Sequence, residues 1–382
     1  MSDAKTMRVK ALGRSVLLTA VIAVGLICAA GFNSKTSAAA AQTGVKTILP
    51  FDGNTGWLNS QPLDPQALKG KIVLLDFWEY TCINCLKALP YERAWYERYK
   101  PYGFTIVGIH TPEFAFSGDS ANVAAALKRL DIAWPVVLDS NSAIWRRYEN
   151  QFWPHEFLID PQGRVVADHA GEGDYPETER RIQSLIRKLH PAANLPVPMA
   201  LLPADNYTKP GAVCYPQTNE VYVGMWRGAQ AALGNREGYR AGQVVRYKDP
   251  TGHHLDGFVY LQGAWFSAEQ AMVHAETQTQ AKDYLDLRYH AIQVVSVLKP
   301  EAGKPITVYV DQDGKPLLKA DAGADVRFDA AGRAFLMVDA PREYDVVMNK
   351  HFGHHELVLR PVEYGLGVYS FAFESCEVGS DR

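Results

Sequence analysis

Between about residue 45 and residue 190 the chain alternates short apolar runs with stretches of helical period. Lys71-Ile72-Val73-Leu74-Leu75-Asp76-Phe77-Trp78 is apolar at almost every position, the pattern of a strand covered on both faces. A helix is predicted from about Cys82 to Lys100, closed by Pro101 and Gly103. Phe104 to His110 reads as a second buried strand, Ala121 to Leu130 as a helix, Pro135 to Leu138 as a short strand and Ser142 to Glu149 as a short helix. Glu156-Phe157-Leu158-Ile159 and Arg164-Val165-Val166-Ala167 flank Asp160-Pro161-Gln162-Gly163, so they form a hairpin. A last helix runs from Pro176 to Leu189. Such an order gives an α/β unit with helices on both faces of a mixed sheet.

The period then changes. Pro191, Pro196 and Pro198, followed by Leu202-Pro203, mark a Pro-rich linker over 191–204. From 205 to 382 the runs are short and strand-like: Val221 to Gly224, Gly257 to Tyr260, Tyr284 to Tyr289, Val294 to Val297, Ile306 to Val310, Ala334 to Val338, Glu356 to Leu359 and Tyr369 to Phe373. Many short strands at fairly regular spacing predict an all-β sandwich or jelly roll. At 382 residues two such units are the expected organisation.

The composition is that of a folded globular protein, 47% hydrophobic and 21% charged with a net charge of −3, so a chain-wide affinity for nucleic acid is not expected. The first 41 residues stand apart. Lys5, Arg8, Lys10 and Arg14 precede an apolar run from Ser15 to Phe32, and Ala38 to Ala41 offer small residues for cleavage. The segment reads either as a cleaved signal peptide or as an uncleaved N-terminal membrane anchor. Both readings put the rest of the chain outside the cytoplasm, in the periplasm or cell envelope. Bulky Ile27 before Cys28 argues against lipoprotein processing there.

Export changes what the cysteines mean, because thiols outside the cytoplasm are oxidised unless something keeps them reduced. Apart from Cys28 there are four: Cys82, Cys85, Cys214 and Cys376. The first two form a C-x-x-C where a strand hands over to a helix. There the helix N-terminus favours a thiolate at Cys82, the nucleophile, while Cys85 lies one turn inside as the resolving thiol. Asp76, the charged residue of an apolar strand, would have a raised pKa and would accept or relay the Cys85 proton. A structural zinc site lacks a second ligand pair of similar spacing, and a structural bridge this tight would close almost no loop. Cys214 and Cys376 lie near the two ends of the β-rich unit, where first and last strands often neighbour each other. A disulfide between them is expected, with two separately buried thiols as the alternative.

The run Asp76-Phe77-Trp78-Glu79-Tyr80-Thr81-Cys82-Ile83-Asn84-Cys85 resembles thioredoxins. With Leu89-Pro90-Tyr91, Ala94-Trp95-Tyr96, Gly108 to Phe114 and Phe152-Trp153-Pro154, residues 45–190 are similar to the TlpA/DipZ branch of thiol–disulfide oxidoreductases. More faintly, 205–382 resembles the carbohydrate-binding-module-like sandwich of DipZ-type proteins. The resemblance implies a thioredoxin fold, disulfide-containing protein substrates, no cofactor and a cis peptide bond at Pro154 that presents the Trp153 backbone to substrate. It also implies tuning of the thiols by Glu79 and Glu113, with solvated surface carboxylates as the alternative, and places Trp78 near the site. Cytochrome c maturation is among the processes such a protein serves. The chain lacks the multi-helix electron-importing domain of DipZ-type proteins, so as a reductant it would need a separate membrane electron donor.

Other motifs weigh less. His351, His354, His355 and Glu356 fit no zinc spacing and read as a polar loop; Asp311-Gln312-Asp313-Gly314 reads as a hairpin turn rather than a calcium loop. No metal is therefore expected. Trp226 and Trp265 are candidates for stacking on sugar rings. Three rival functions remain: a thiol peroxidase, which would need a Pro-x-x-x-Thr-x-x-Cys arrangement absent around Cys82; a carbohydrate- or envelope-binding protein on a thioredoxin-like scaffold; and a structural envelope protein.

Overall fold

The computed structural model describes residues 44–205, 212–226, 232–250, 252–277 and 281–377. The segment 1–41, with Cys28, lies outside them. Among the described residues no helix is long and apolar enough to cross a membrane.

The first module is a thioredoxin-like fold. Its elements are β1 (Gly56–Leu58), β2 (Ile72–Trp78), α1 (Ile83–Tyr99), β3 (Phe104–His110), α2 (Ser120–Arg129), β4 (Val136–Leu138), α3 (Ala143–Arg147), β5 (His155–Ile159), β6 (Val165–Ala170) and α4 (Tyr175–Leu189). The sheet order is β1-β4-β3-β2-β5-β6, with β2, β3 and β4 parallel and β1, β5 and β6 antiparallel to their neighbours. Every residue of β2 is buried, as its continuous apolar run requires. One face of the sheet packs Leu74 and Ile106 against α1 and α4, and the other packs Leu75, Phe77 and Ile109 against Ile144 and Tyr148. Gly108 on β3 has no substitute, because a Cβ there would lie 2.8 Å from the Trp78 indole nitrogen. β1, which has no run of its own in the pattern, is held at the edge by β4.

The second module is an all-antiparallel β-sandwich built from an 11-stranded sheet. Strand Val259–Ser267 pairs with Tyr284–Pro300, which pairs with Leu366–Glu374, which pairs with Met272–His274, which returns to Val259–Ser267. The sheet thereby closes on itself around Trp265, Leu287, Val294, Leu359 and Phe371.

Three expectations need correction here. Tyr284 to Tyr289 and Val294 to Val297 are halves of one 17-residue strand, and His351 to Glu356 lie inside the 20-residue strand Arg342–Pro361 rather than in a loop. The polar residues that suggested breaks, such as half-buried His290 and Gln293, lie beside bulges at Ala291/Gln293 and Val294/Val295, where the ladder continues past them. Asp313-Gly314, both at positive φ, makes the tight hairpin turn. Trp265 is fully buried with its indole N–H bonded to Gln262 O, so it offers no face to a sugar; Trp226 is exposed.

The Pro-rich segment packs on the first module through Ala193, Leu195, Met199 and Leu201, and Glu179 accepts the Met199 N–H at 2.6 Å. The two modules share one continuous apolar cluster: Phe114 and Phe116 stack edge-on against Tyr369 at 5.2 and 4.8 Å, beside Tyr222 and Val297. Cys214 and Cys376 face each other in a short two-stranded ladder and are disulfide-bonded.

Candidate active site

Cys82 is the N-cap of α1, in extended conformation, and its sulfur accepts the Cys85 N–H at 3.4 Å. The chain makes its sharp strand-to-helix change here because β2 ends at Trp78 and the Thr81 N–H is taken by the Glu79 carboxylate at 2.6 Å. Cys82 is half-buried, Cys85 is buried one turn inside, and both thiols are free. The Trp153–Pro154 bond is cis. Trp153, tilted against Trp145 at 4.3 Å between ring centroids, lines the same cleft as Thr81, Cys82, Ile83, Asn84 and Glu113. That cleft, about 280 Å³, has its opposite wall in the sandwich, from Gln217, Glu220, Tyr222, Phe373 and Glu374. A larger cavity of about 410 Å³ beside the start of α4 contains neither cysteine. Tyr222 closes one end of the cleft by donating its hydroxyl to Glu113 at 2.6 Å, and Lys87 on α1 pairs with Glu374 at 2.7 Å.

Known proteins agree with this geometry. Residues 37–186 match the Redoxin family, and residues 218–373 match the thioredoxin-like C-terminal domain family. Thiol-disulfide oxidoreductase ResA of Bacillus cereus is 31% identical over 134 residues, which are 35% of this chain and 72% of that protein. The chain belongs to the thioredoxin-like thiol–disulfide oxidoreductases. Protein DipZ of Mycobacterium bovis is 34% identical over 330 residues, 86% of this chain and 43% of DipZ, so the chain spans less than half the length of that relative. The thioredoxin domain of a thiol-disulfide oxidoreductase from Bacteroides vulgatus is 27% identical with a TM-score of 0.30, covering 38% of this chain and 98% of that one.

The electrostatics of this oxidoreductase's dithiol depart from expectation at one point. A helix N-terminus was expected to depress Cys82, yet its thiol is held above the ordinary range. Hydrogen bonding with Cys85 pulls it down, but burial and the charges of Glu113 and Glu79 push it up further. Cys85 is raised well above the ordinary thiol range by burial, by its hydrogen bond to Cys82 and by the Cys82 and Asp76 charges.

Asp76 sits in the middle of β2 and is buried, with one carboxyl oxygen lacking any hydrogen-bond partner. It does not stand alone. In the β2–β5 ladder it is directly opposite Glu156, and Glu92 of α1 is buried with them. Burial first, and then Glu156, raises Asp76 well above the carboxylate range; burial, Asp76 and Glu156 raise Glu92 likewise; burial raises Glu156 to about 7. Among the described residues no Lys or Arg pairs with these three buried carboxyls, and Arg93 only partly offsets the rise of Glu92, so they share protons rather than ionise together.

Sequence reading did not single out Glu92 or Glu156. Glu92 follows Cys85 by seven residues, two helical turns, and Glu156 interrupts an apolar strand just after Pro154. These are the signals that would have found them.

Glu79 is fully buried, which excludes a solvated role. One oxygen accepts both the Thr81 N–H and its hydroxyl, and the other is 3.8 Å from His110 Nε2. Burial raises Glu79 to about 7 and lowers His110 to about 3, so the imidazole is neutral at physiological pH. Across the module boundary Glu343 is half-buried with its Oε2 shielded from solvent; desolvation of the carboxyl, then Asp345, Asp325 and Glu79, raises it to about 8. Trp78 is buried edge-on to His110 at 5.2 Å and supports the dithiol loop from beneath without reaching the cleft.

Proposed function

We propose that this chain reduces disulfides in exported proteins outside the cytoplasm, with Cys82 as nucleophile and Cys85 as resolving thiol. The observation that carries the reading is the free Cys82–Cys85 pair at the N-terminus of α1, opening into a cleft shared with Trp153 and the sandwich. The Cys82 thiolate attacks one sulfur of a substrate disulfide, forming a mixed disulfide and releasing the other sulfur as a thiolate. Asp76, in its ionised form, takes the proton of Cys85. The Cys85 thiolate then attacks the Cys82 sulfur and releases the second substrate thiol, so two electrons pass to substrate and the Cys82–Cys85 disulfide remains. A raised Asp76 pKa brings the base closer to the thiol it must deprotonate.

The reducing direction is supported by the raised thiol pKa values. Strong oxidants of this chemistry owe their potential to a stabilised reduced form, and a Cys82 held above its ordinary range lacks that stabilisation. A separate membrane protein would return the electrons. The Cys214–Cys376 disulfide supports an oxidising compartment. Exposed Trp226 is the aromatic of the sandwich proposed to meet carbohydrate. Equilibrating the Cys82–Cys85 couple against glutathione tests the direction. A potential near that of thioredoxin, about −270 mV, is expected, and one near about −120 mV overturns it.

A further inference from the structure

A second group of titratable side chains gathers on the sandwich. Nδ1 of His254 lies 2.9 Å from Asp286 Oδ1 and 2.7 Å from Glu356 Oε1, while Nε2 lies 2.8 Å from Asp249 Oδ1. Asp286 belongs to strand Tyr284–Pro300 and Glu356 to Arg342–Pro361. Glu356 is registered opposite Arg288, two residues from Asp286, so the two carboxyls project from the same face as diagonal neighbours. The imidazole is fixed by stacking on Tyr260 at 4.0 Å, and Asp249 by the Tyr284 hydroxyl at 2.7 Å. The side chains of His254, Asp249 and Asp286 are only 9%, 13% and 7% exposed, whereas Glu356 is 44% exposed and opens the group to solvent.

Protons alone satisfy this arrangement poorly. Nδ1 carries at most one hydrogen and faces two carboxylate oxygens, so with both carboxylates ionised one of them goes without. Even a charged imidazole leaves three carboxylates around one cation, and among the described residues no Lys or Arg lies within ion-pair distance of Asp249, Asp286 or Glu356. Removing such an excess of negative charge from water is costly unless a further positive charge joins it.

We propose that His254 Nδ1, Asp286 and Glu356 bind a divalent transition-metal cation of the zinc type. Asp249 then accepts the Nε2–H, which leaves Nδ1 bare and turns it toward the metal. Ligand atoms around a tetrahedral zinc are separated by about 3.3 Å, given bonds of about 2.0–2.2 Å. The observed 2.7 and 2.9 Å therefore require outward shifts of a few tenths of an ångström. A water on the open Glu356 side would complete four ligands. One imidazole with two carboxylates suits zinc better than calcium, which takes six to eight oxygens. The ligands come from three separate stretches of chain, so the cation would staple the segment around His254 to the two long strands. The neighbouring trio Asp256, His290 and His354 is more exposed, and its His290 Nδ1 is already engaged by Asp256 at 2.8 Å and by the Thr218 hydroxyl at 3.1 Å.

Titration calorimetry with zinc chloride tests the assignment. The untagged protein is first stripped with a chelator and its Cys82–Cys85 pair oxidised, so that thiolates do not compete. One equivalent is expected to bind. Glu356→Gln and Asp286→Asn should each lose that binding, Asp249→Asn should weaken it about 10–100-fold, and His290→Asn should leave it unchanged. Circular dichroism separates a binding defect from misfolding, and either of the two ligand variants suffices if the other does not fold. No uptake by the unaltered protein, uptake that survives both ligand variants, uptake lost only in His290→Asn, or equal affinity for calcium would each overturn the proposal.

Discussion

The two modules bury carboxylates in opposite ways. Beneath the dithiol, Asp76, Glu92 and Glu156 face one another with no Lys or Arg paired to them among the described residues, and their pKa values rise. In the sandwich, Asp249, Asp286 and Glu356 converge on an imidazole, and the His254 pKa is raised: burial opposes the charge, but the three carboxylates outweigh it. The first arrangement makes the carboxyls share protons, which suits a group that must deprotonate a thiol on each turnover. The second sets an imidazole among the carboxylates, which opposes the rise without cancelling it: burial and Glu356 still raise Asp286 to about 7. Burial alone therefore does not define a catalytic acid; what decides is whether the neighbours leave the proton somewhere to go.

The largest effect should come from the proton site. Asp76→Asn is expected to slow release of the mixed disulfide by about 100-fold or more while leaving the first attack nearly unchanged. Trapping the Cys82-linked species by acid quench checks this, and no accumulation would reduce Asp76 to a packing residue. Glu156→Gln should then shift the pH dependence of that step to lower pH, because it removes a like charge from Asp76.

On the static side of the comparison, replacing Cys214 and Cys376 by Ala should lower stability by roughly 2–5 kcal/mol, since the bridge spans 162 residues. Denaturant melts of the oxidised double variant measure it, and dithiol activity should persist below the new midpoint.

A third test lies between the modules. Glu343 has a folded pKa of about 8 against an ordinary 4.5, so between those values the folded protein holds a proton that the unfolded chain has released. Its favourable contribution is complete below about pH 4.5 and is lost as pH rises through 8, so stability should fall over that window. Glu343→Gln should flatten the fall by roughly 1–3 kcal/mol. An unchanged slope would mean that this carboxyl does not titrate there.

The smallest effect concerns Glu113. Its charge helps to raise Cys82, so Glu113→Gln should lower that pKa and increase alkylation at pH 7 a few-fold. Equal rates in both proteins would assign Glu113 only to its hydrogen bond with Tyr222.

Local pattern alone carried the first module. A continuous apolar strand, a C-x-x-C at its end, a Pro before a hairpin and periodic helices are each written in neighbouring residues, and β2, α1 and the β5–β6 hairpin follow them closely. In the sandwich, strand character was equally legible, but strand length was not. Bulges let the ladder run through polar positions such as His290 and His354, which resemble loop residues when only the chain is read.

Residue types therefore determined that this chain carries a dithiol on a thioredoxin-like module followed by a β-rich one. Tertiary structure decided everything that depends on distance across the chain: Glu156 opposite Asp76, Tyr222 against Glu113, Glu343 near Glu79, and His254 among three carboxylates. It also decided the acidity of Cys82. Local helix geometry argues for a low pKa, but burial, Glu113 brought from the end of another strand and the neighbouring Glu79 add to the opposite sign, and a charge in a low-dielectric site answers to all its neighbours at once.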